Sequence, residues 1–229
     1  MKTIGLIGGL SWESTLDYYR YLNRETQRRM GARHSAKILL YSVDFQEVED
    51  FVNQGNMPGL TEMMKNAAVV LEKAGADVLM IGANTMHMLV PAIRSVMSRP
   101  IVHIAEATAE EIIKKGFTKV GLMGTKPTME MDFYKRILAA RGIETIIPEE
   151  EDRELIQKTI FDELFSGDFR ESSRQSMLRI MDQLVQNGAQ GVILGCTEIP
   201  LLVKQEHTQI PLFDTTYIHA CAGIDFALG

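Results

Sequence analysis

Short apolar runs alternate with longer amphipathic segments along the whole chain of 229 residues. The run Val78–Ile81 is apolar at every position, which is typical of a strand that is covered on both faces. Runs of this kind predict strands at residues 3–8, 37–44, 77–81, 100–104, 119–123, 144–147, 191–194 and 210–213. Helical periodicity covers residues 11–30, 60–74, 107–115 and 174–187, with a glycine or Asn–Gly ending several of these segments. The alternation predicts an α/β fold with mostly parallel sheets.

The two halves of the chain share three similar segments in the same order. Residues 5–9 resemble 121–125, residues 78–83 resemble 192–196, and residues 100–103 resemble 211–214, at comparable separations. This repeat predicts two pseudosymmetric three-layer lobes, formed by residues 1–98 with 211–229 and by residues 99–210. The alternative is that any α/β protein repeats strand–glycine–helix units. If the repeat is real, we expect the active site in the cleft between the lobes, where the equivalent loops would meet.

Composition excludes several classes of function. The chain has 24 Lys and Arg against 30 Asp and Glu, a formal charge of −6, whereas nucleic-acid binding requires a basic face. No apolar run approaches the ~18 residues of a membrane span, and the apolar stretch near the N-terminus is too short for a signal peptide. We therefore expect a cytoplasmic protein with no membrane partner. The 2 cysteines cannot form a disulfide framework, and the 5 histidines are scattered, so we expect no metal site.

A glycine-rich segment joins the first predicted strand to the first helix. Gly8 and Gly9 let backbone N–H groups approach a ligand, and a helix N-terminus favours an anion. The spacing differs from the dinucleotide-binding G-x-G-x-x-G pattern, which argues against NAD. The segment is either a carboxylate cradle, with Gly9 and Ser11 binding substrate, or a tight turn in which Ser11 caps the helix. Thr125 and Thr128 occupy the equivalent loop of the second half, as anion donors or as caps.

Two small polar residues, Asn84 and Thr85, follow the buried strand at 78–81. Such side chains at the carboxyl end of a strand can orient a carboxylate or an amine by hydrogen bonds, although both residue types also cap helices. His87, in the same segment, is interpreted as a packed or capping histidine.

A thiol and a hydroxyl, Cys196 and Thr197, follow the apolar strand at 191–194. A cysteine at this position can act as a nucleophile or a general base once its pKa falls below ~8.5. The alternative is a buried structural cysteine. Cys221 lies among small residues near the C-terminus and is interpreted as a core residue.

Three motifs occur in order over nearly the whole chain, at Gly8–Thr15, Asn84–His87 and Gly195–Ile199. Together they resemble the aspartate/glutamate racemase family, and in particular its bacterial broad-specificity amino-acid racemase branch. The resemblance implies an isomerase that uses neither pyridoxal phosphate nor a metal. Two residues, typically cysteines, exchange the Cα proton on opposite faces of the amino acid, and the resemblance makes Cys196 one of them.

The same resemblance assigns roles to further residues. It implies that Asn84, Thr85 and Thr197 hold the α-carboxylate and orient the substrate, and that the loop of Thr125 approaches the ligand. Lys126, beside that loop, is a candidate for binding a substrate side-chain carboxylate, with a solvated lysine as the alternative. The relatives are often dimers, so we expect a homodimer, with the helix at 11–30 as a candidate contact surface.

Ala83 departs from the family pattern. It occupies the usual position of the first cysteine, and the internal repeat pairs it with Cys196, yet alanine cannot exchange a proton. The second proton would come from water, from a hydroxyl such as that of Thr85, or not at all, and we expect weakened activity. One acid on one face would instead suit a one-base decarboxylase or isomerase of the same superfamily. A catalytically reduced module that binds acidic amino acids is the remaining alternative.

Overall fold

A computed structural model describes residues 1–229, which divide into two compact units. Unit 1 comprises Met1–Ile104 with His219–Gly229, and unit 2 comprises Ala105–Ile218. Each unit is built around one parallel sheet, and this confirms the predicted α/β fold with two lobes.

Unit 1 contains a three-stranded sheet in the order β2-β1-β3. Its elements are β1 (Ile4–Gly8), α1 (Trp12–Met30), β2 (Ile38–Ser42), α2 (Phe45–Asn53), α3 (Met57–Lys73), β3 (Val78–Ile81), a 3₁₀ helix (Thr85–Leu89) and α4 (Val90–Arg94). Alternate side chains of the strands face opposite sides of the sheet. Ile7 and Ile81 pack in one core with Met64 of α3, while Leu6 and Met80 pack in another with residues of α1.

Unit 2 contains a four-stranded sheet in the order β5-β4-β6-β7. Its elements are α5 (Ile104–Lys114), β4 (Lys119–Gly124), α6 (Lys126–Glu130), α7 (Asp132–Ala140), β5 (Glu144–Ile146), α8 (Glu150–Asp162), α9 (Glu171–Gln186), β6 (Val192–Gly195), α10 (Ile199–Leu202), β7 (Leu212–Asp214) and α11 (Thr215–Leu228). Short 3₁₀ helices lie at Leu164–Ser166 and Gln205–His207. Helix α11 begins in unit 2 and continues in unit 1, where its Ile224 joins the core of Leu6 and Met80.

The two sheets repeat the same strand pairing. In unit 1, β1 lies between β2 and β3, with Ile7 opposite Ile81. In unit 2, β4 lies between β5 and β6, with Met123 opposite Leu194. Counting two residues on from Ile81 and Leu194 makes Ala83 equivalent to Cys196, as the sequence repeat predicts.

The strand predicted at 100–104 is reduced to a single parallel bridge between Leu79 and Ile101, and α5 already begins at Ile104. The unit boundaries also differ from the prediction. Strand β7 pairs with β6, so residues 211–218 belong to unit 2, and residues 99–104 belong to unit 1. Strand pairing groups residues that are distant in sequence, which is why local patterns misplaced these two short segments. No helix of the chain combines the length and the apolar character needed to cross a membrane.

Candidate active site

The loop after β1 turns at Gly9, whose backbone is in the left-handed region. This residue has φ of +80°, and a Cβ atom there would lie 2.1 Å from the carbonyl oxygen of Val43, so the position requires glycine. The Gly9 N–H donates to Oγ1 of Thr15 at 2.9 Å. Ser11 is the N-cap of α1, with its hydroxyl oxygen accepting from the backbone N–H of Ser14 at 3.5 Å. In this conformation both residues therefore serve the turn itself, as the capping alternative proposed.

The loop after β3 carries Asn84 and Thr85. Because β1 and β3 are parallel neighbours, this loop lies at the same sheet edge as Gly9 and Ser11. Asn84 is buried and precedes the 3₁₀ helix, but its side chain does not cap that helix. Thr85 is the first residue of the 3₁₀ helix and is partly buried. The Asn84 side chain therefore does not act as a helix cap.

His87 fixes the backbone on both sides of this loop. Its Nδ1 lies 2.8 Å from the carbonyl oxygen of Ala83, and its Nε2 accepts from the backbone N–H of Ile104 at 3.2 Å. Since a carbonyl can only accept, Nδ1 carries the proton and the imidazole is neutral. Burial, together with the nearby imidazoles of His103 and His219, holds the pKa of His87 well below its ordinary value. The interpretation of His87 as a packed histidine is confirmed.

His87 belongs to a cluster of three histidines that the sequence analysis treated as scattered. The ring centroid of His87 lies 4.6 Å from that of His103 and 5.4 Å from that of His219. Burial lowers the pKa of His103 to about 4, with Arg94 contributing, and lowers that of His219 to about 3. All three side chains are buried in unit 1, so the cluster is uncharged at neutral pH.

The thiol of Cys196 lies just beyond β6 and is hydrogen-bonded to a carboxylate. Its Sγ donates to Oε2 of Glu198 at 2.9 Å, and Oγ1 of Thr197 donates to the same oxygen at 2.9 Å. All three side chains are buried, with Glu198 only 2% exposed. Burial and the charge and hydrogen bond of Glu198 hold the pKa of Cys196 well above its ordinary value, against the opposing backbone N–H groups of Glu198 and Ile199. The resting group is therefore a protonated thiol.

The loop after β4 lies beside Cys196. Gly124 is paired with Gly195, and Oγ1 of Thr125 lies 3.1 Å from Oγ1 of Thr128. Thr128 is fully buried, and its methyl carbon lies 3.2 Å from where a Cβ of Gly195 would be. The candidate residues of unit 2 thus form one cluster at one sheet edge.

The structure gives the surroundings of two further residues, Lys126 and Cys221. Nζ of Lys126 forms an ion pair with Glu154, which raises the pKa of the lysine, and its backbone N–H donates to Gln157 at 2.8 Å. Lys126 is thus occupied rather than simply solvated. Cys221 is only partly buried, in contrast to the core position that was expected.

Glu198 is the residue whose role the sequence analysis missed. A carboxylate two residues after a candidate thiol was the available signal, but sequence alone does not show that the two side chains turn toward each other. Elsewhere, no group of three or more His, Cys, Asp or Glu side chains is arranged to hold a metal ion.

The chain is similar to known proteins in both sequence and fold. A family model for Asp/Glu/hydantoin racemases matches residues 7–222. The chain belongs to that family. It is 46% identical to a candidate Asp/Glu racemase from Yersinia pestis, whose structure is known. The match covers 100% of both chains and has a TM-score of 0.93. An aspartate racemase homologue from Pyrococcus horikoshii OT3 is 36% identical over 100% of both chains, with a TM-score of 0.88.

A further relative is more distant in sequence. The broad-specificity amino-acid racemase RacX of Bacillus subtilis is 23% identical in an alignment 226 residues long, which covers 93% of this chain and 92% of the relative. Family membership confirms the resemblance seen in the three motifs and supports amino-acid racemase activity.

Proposed function

We propose that the protein is a cofactor-independent amino-acid racemase of the aspartate/glutamate type, in which Cys196 moves the Cα proton. The observation that carries the proposal is the buried Cys196 thiol at the carboxyl end of β6, hydrogen-bonded to Glu198. A thiol can donate a proton to a carbanion and, once ionised, can remove one from Cα. Two backbone N–H groups, those of Glu198 and Ile199, favour the thiolate that this cycle requires.

The α-carboxylate of the substrate needs hydrogen-bond donors. Removing the Cα proton spreads negative charge onto the carboxylate, so the reaction needs hydrogen-bond donors that are already in place. We assign this role to Asn84, to Thr85 and to the backbone N–H of Thr197, as the resemblance to the family implies. The Thr197 hydroxyl proton is committed to Glu198, so its side chain is not the donor.

Gly9, Ser11, Thr125 and Thr128 complete the proposed substrate-binding set. The Gly9 N–H is committed to Thr15, so its proposed role is to let the backbone approach the ligand closely. Thr125 and Thr128 share one hydrogen bond between their hydroxyls, and both lie beside Cys196 at the carboxyl end of the sheet of unit 2.

The second face of Cα lacks a thiol because Ala83 stands at the position equivalent to Cys196. We propose that water or the Thr85 hydroxyl returns the proton on that face, with an activity weakened accordingly. A threonine hydroxyl is a poor base near neutral pH, which is why we expect the activity to be weak. The absence of a thiol at Ala83 favours one alternative, a one-base decarboxylase or isomerase that protonates one face.

The test is α-deuterium exchange with a panel of D- and L-amino acids in deuterated water, read by loss of the α-proton NMR signal. A racemase exchanges both enantiomers, and a one-base enzyme strongly favours one. Cys196→Ala should abolish exchange, while Cys221→Ser, which changes the thiol outside the site, should retain it. Exchange that persists in Cys196→Ala would exclude Cys196. Thermal stabilisation by an acidic amino acid without exchange would identify a binding module.

We further propose that the protein is a homodimer that pairs through α1. Trp12, Leu16 and Tyr19 recur at helical spacing and are 63%, 58% and 57% exposed, which forms an apolar stripe. Glu13 lies on the flank of the stripe near the start of the helix, and Arg24 lies on the same flank further along. An antiparallel second copy of α1 would bring these opposite charges together, and the same surface would serve both copies.

The dimer is tested by light scattering coupled to gel filtration. Leu16→Glu should convert a dimer to a monomer at the same protein concentration, while the circular dichroism spectrum shows that the chain stays folded. Val70→Glu is the matched control, because Val70 is also an exposed apolar residue on a helix of unit 1. A monomeric wild-type protein would refute the dimer, and a dimeric Leu16→Glu variant would refute this surface.

A further inference from the structure

The Glu198 carboxylate is placed in a way that simple packing does not require. It is 2% exposed, and both hydrogen bonds from Cys196 and Thr197 reach the same atom, Oε2. Burying a carboxylate is costly unless hydrogen-bond donors compensate for the lost water. The Thr197 hydroxyl supplies a donor that does not depend on the thiol, so Oε2 keeps one partner when the thiol proton moves.

The sulfur of Cys196 lies between groups that favour opposite protonation states. The Glu198 carboxylate favours the neutral thiol, whereas the backbone N–H groups of Glu198 and Ile199 favour the thiolate. Cys196 and Glu198 lie on the turn between β6 and α10, and Ile199 is the first residue of α10. The local backbone therefore holds this geometry without help from distant segments. A proton can therefore move over the 2.9 Å between Sγ and Oε2 without exchange with bulk water.

We infer that Glu198 is the positioning residue for Cys196: it keeps the thiol protonated at rest and accepts that proton when the sulfur acts as a base. In this step the S–H bond breaks, an O–H bond forms on Oε2, and the electron pair stays on sulfur. The net charge of the pair remains −1. The thiolate then takes the Cα proton, and the reverse sequence returns it. The inference rests on the proposed racemase function only for this last step.

A purely structural role for Glu198 predicts a different response to mutation. If Glu198 only caps the turn, Glu198→Gln would preserve the shape and leave the rate of exchange unchanged, whatever happens to the thiol titration. If Glu198 controls the proton, removing its charge should make the Cys196 thiol more acidic and yet slow the exchange reaction. These two effects have opposite signs for reactivity, since a more acidic thiol alone would yield more thiolate at neutral pH.

The thiol can be titrated directly by the ultraviolet absorbance of its thiolate. Because the chain has only 2 cysteines, a Cys221→Ser background leaves Cys196 as the single thiol. We expect the thiolate signal of this background to begin well above the ordinary pKa of ~8.5, and Glu198→Gln to shift it toward lower pH. Glu206→Gln, at an exposed carboxylate of unit 2, is the control that should leave the titration unchanged.

Exchange kinetics provide the second readout. Glu198→Gln should slow α-deuterium exchange by about 10²-fold, and Glu198→Asp, which keeps the charge, should recover part of the rate. Unchanged titration in a folded Glu198→Gln variant, or a shift toward higher pH, would overturn the inference. If Glu198→Gln does not fold, Glu198→Asp tests the inference instead. The shorter side chain places the carboxylate farther from Sγ, which must lower the pKa of the thiol. A wild-type protein without exchange would refute the racemase proposal, while the titration would still test the Cys196–Glu198 pair.

Discussion

Tyr18 on the first helix and His219 on the last helix share a hydrogen bond of 2.8 Å between the phenolic oxygen and Nδ1. Nε2 of His219 lies 2.8 Å from the carbonyl oxygen of Val102 and must donate to it. Nδ1 therefore accepts, and Tyr18 is the donor. Val102 and His219 lie close to the two points at which the chain passes between units, so this pair holds both crossing segments to unit 1.

Removing the Tyr18 hydroxyl should destabilise unit 1. Tyr18→Phe leaves Nδ1 of His219 buried without its donor, and we expect a loss of about 1–3 kcal/mol in the free energy of unfolding. Urea unfolding followed by circular dichroism measures this loss. Tyr19→Phe is the control, because Tyr19 is its neighbour in sequence but is 57% exposed. Equal effects of the two substitutions would contradict the role given to the Tyr18–His219 bond.

The neutral histidines should make stability fall in mild acid. The unfolded chain binds protons on histidine below pH ~6.5, whereas folded His103 does so only near pH 4 and His219 near pH 3. Their contribution is fully present above pH ~6.5 and is lost progressively as the pH falls toward these values. For His103 the loss amounts to about 3 kcal/mol.

Urea unfolding at a series of pH values between 4.5 and 6.5 would measure this slope, over a window chosen above the ordinary glutamate pKa of ~4.3. The His103→Asn variant should show a smaller slope than the wild-type protein. His34→Asn is the control, since His34 is exposed. A slope that His103→Asn leaves unchanged would show that His103 is not the source.

Gly9 should be far less tolerant of substitution than another glycine with a similar backbone angle. Gly55 also has positive φ, at +66°, but a Cβ there meets nothing within 4 Å. Gly55→Ala should cost about 1–2 kcal/mol for the left-handed conformation alone. Gly9→Ala should cost at least about 2 kcal/mol more, because its Cβ would collide with the Val43 carbonyl. Thermal unfolding of both variants would measure the difference, and similar melting temperatures would contradict the collision.

Restoring a thiol at position 83 should increase the rate of racemisation. Ala83→Cys would supply an acid/base group at the position equivalent to Cys196. We expect the enantiomer that the wild-type protein exchanges more slowly to exchange at least ~10-fold faster. The backbone carbonyl of residue 83 would still accept the hydrogen bond from His87. Ala92→Cys, which adds a thiol to α4 of the same unit, is the control. An equal response of both variants, or none, would argue against a two-sided exchange at this site.

The sequence determined the features that depend on local order. Seven of the eight predicted strands are present in the structure. Those that are buried on both faces, such as Val78–Ile81, have the most continuous local signature. The repeat made Ala83 equivalent to Cys196, and the strand registers reproduce this pairing. The family followed from three short motifs for the same reason, since each motif is contiguous in the chain.

Tertiary structure decided what depends on pairing between distant residues. Whether residues 100–104 form a strand and which sheet takes β7 are settled by backbone partners that local patterns do not contain. His103 and His219 are far apart in sequence, and only the fold packs them around His87 and holds them neutral. Glu198 is the opposite case, two residues from Cys196, yet its contact with the thiol depends on side-chain direction and burial. The sequence specifies which side chains are present, and packing decides which of them lie close enough to form hydrogen bonds.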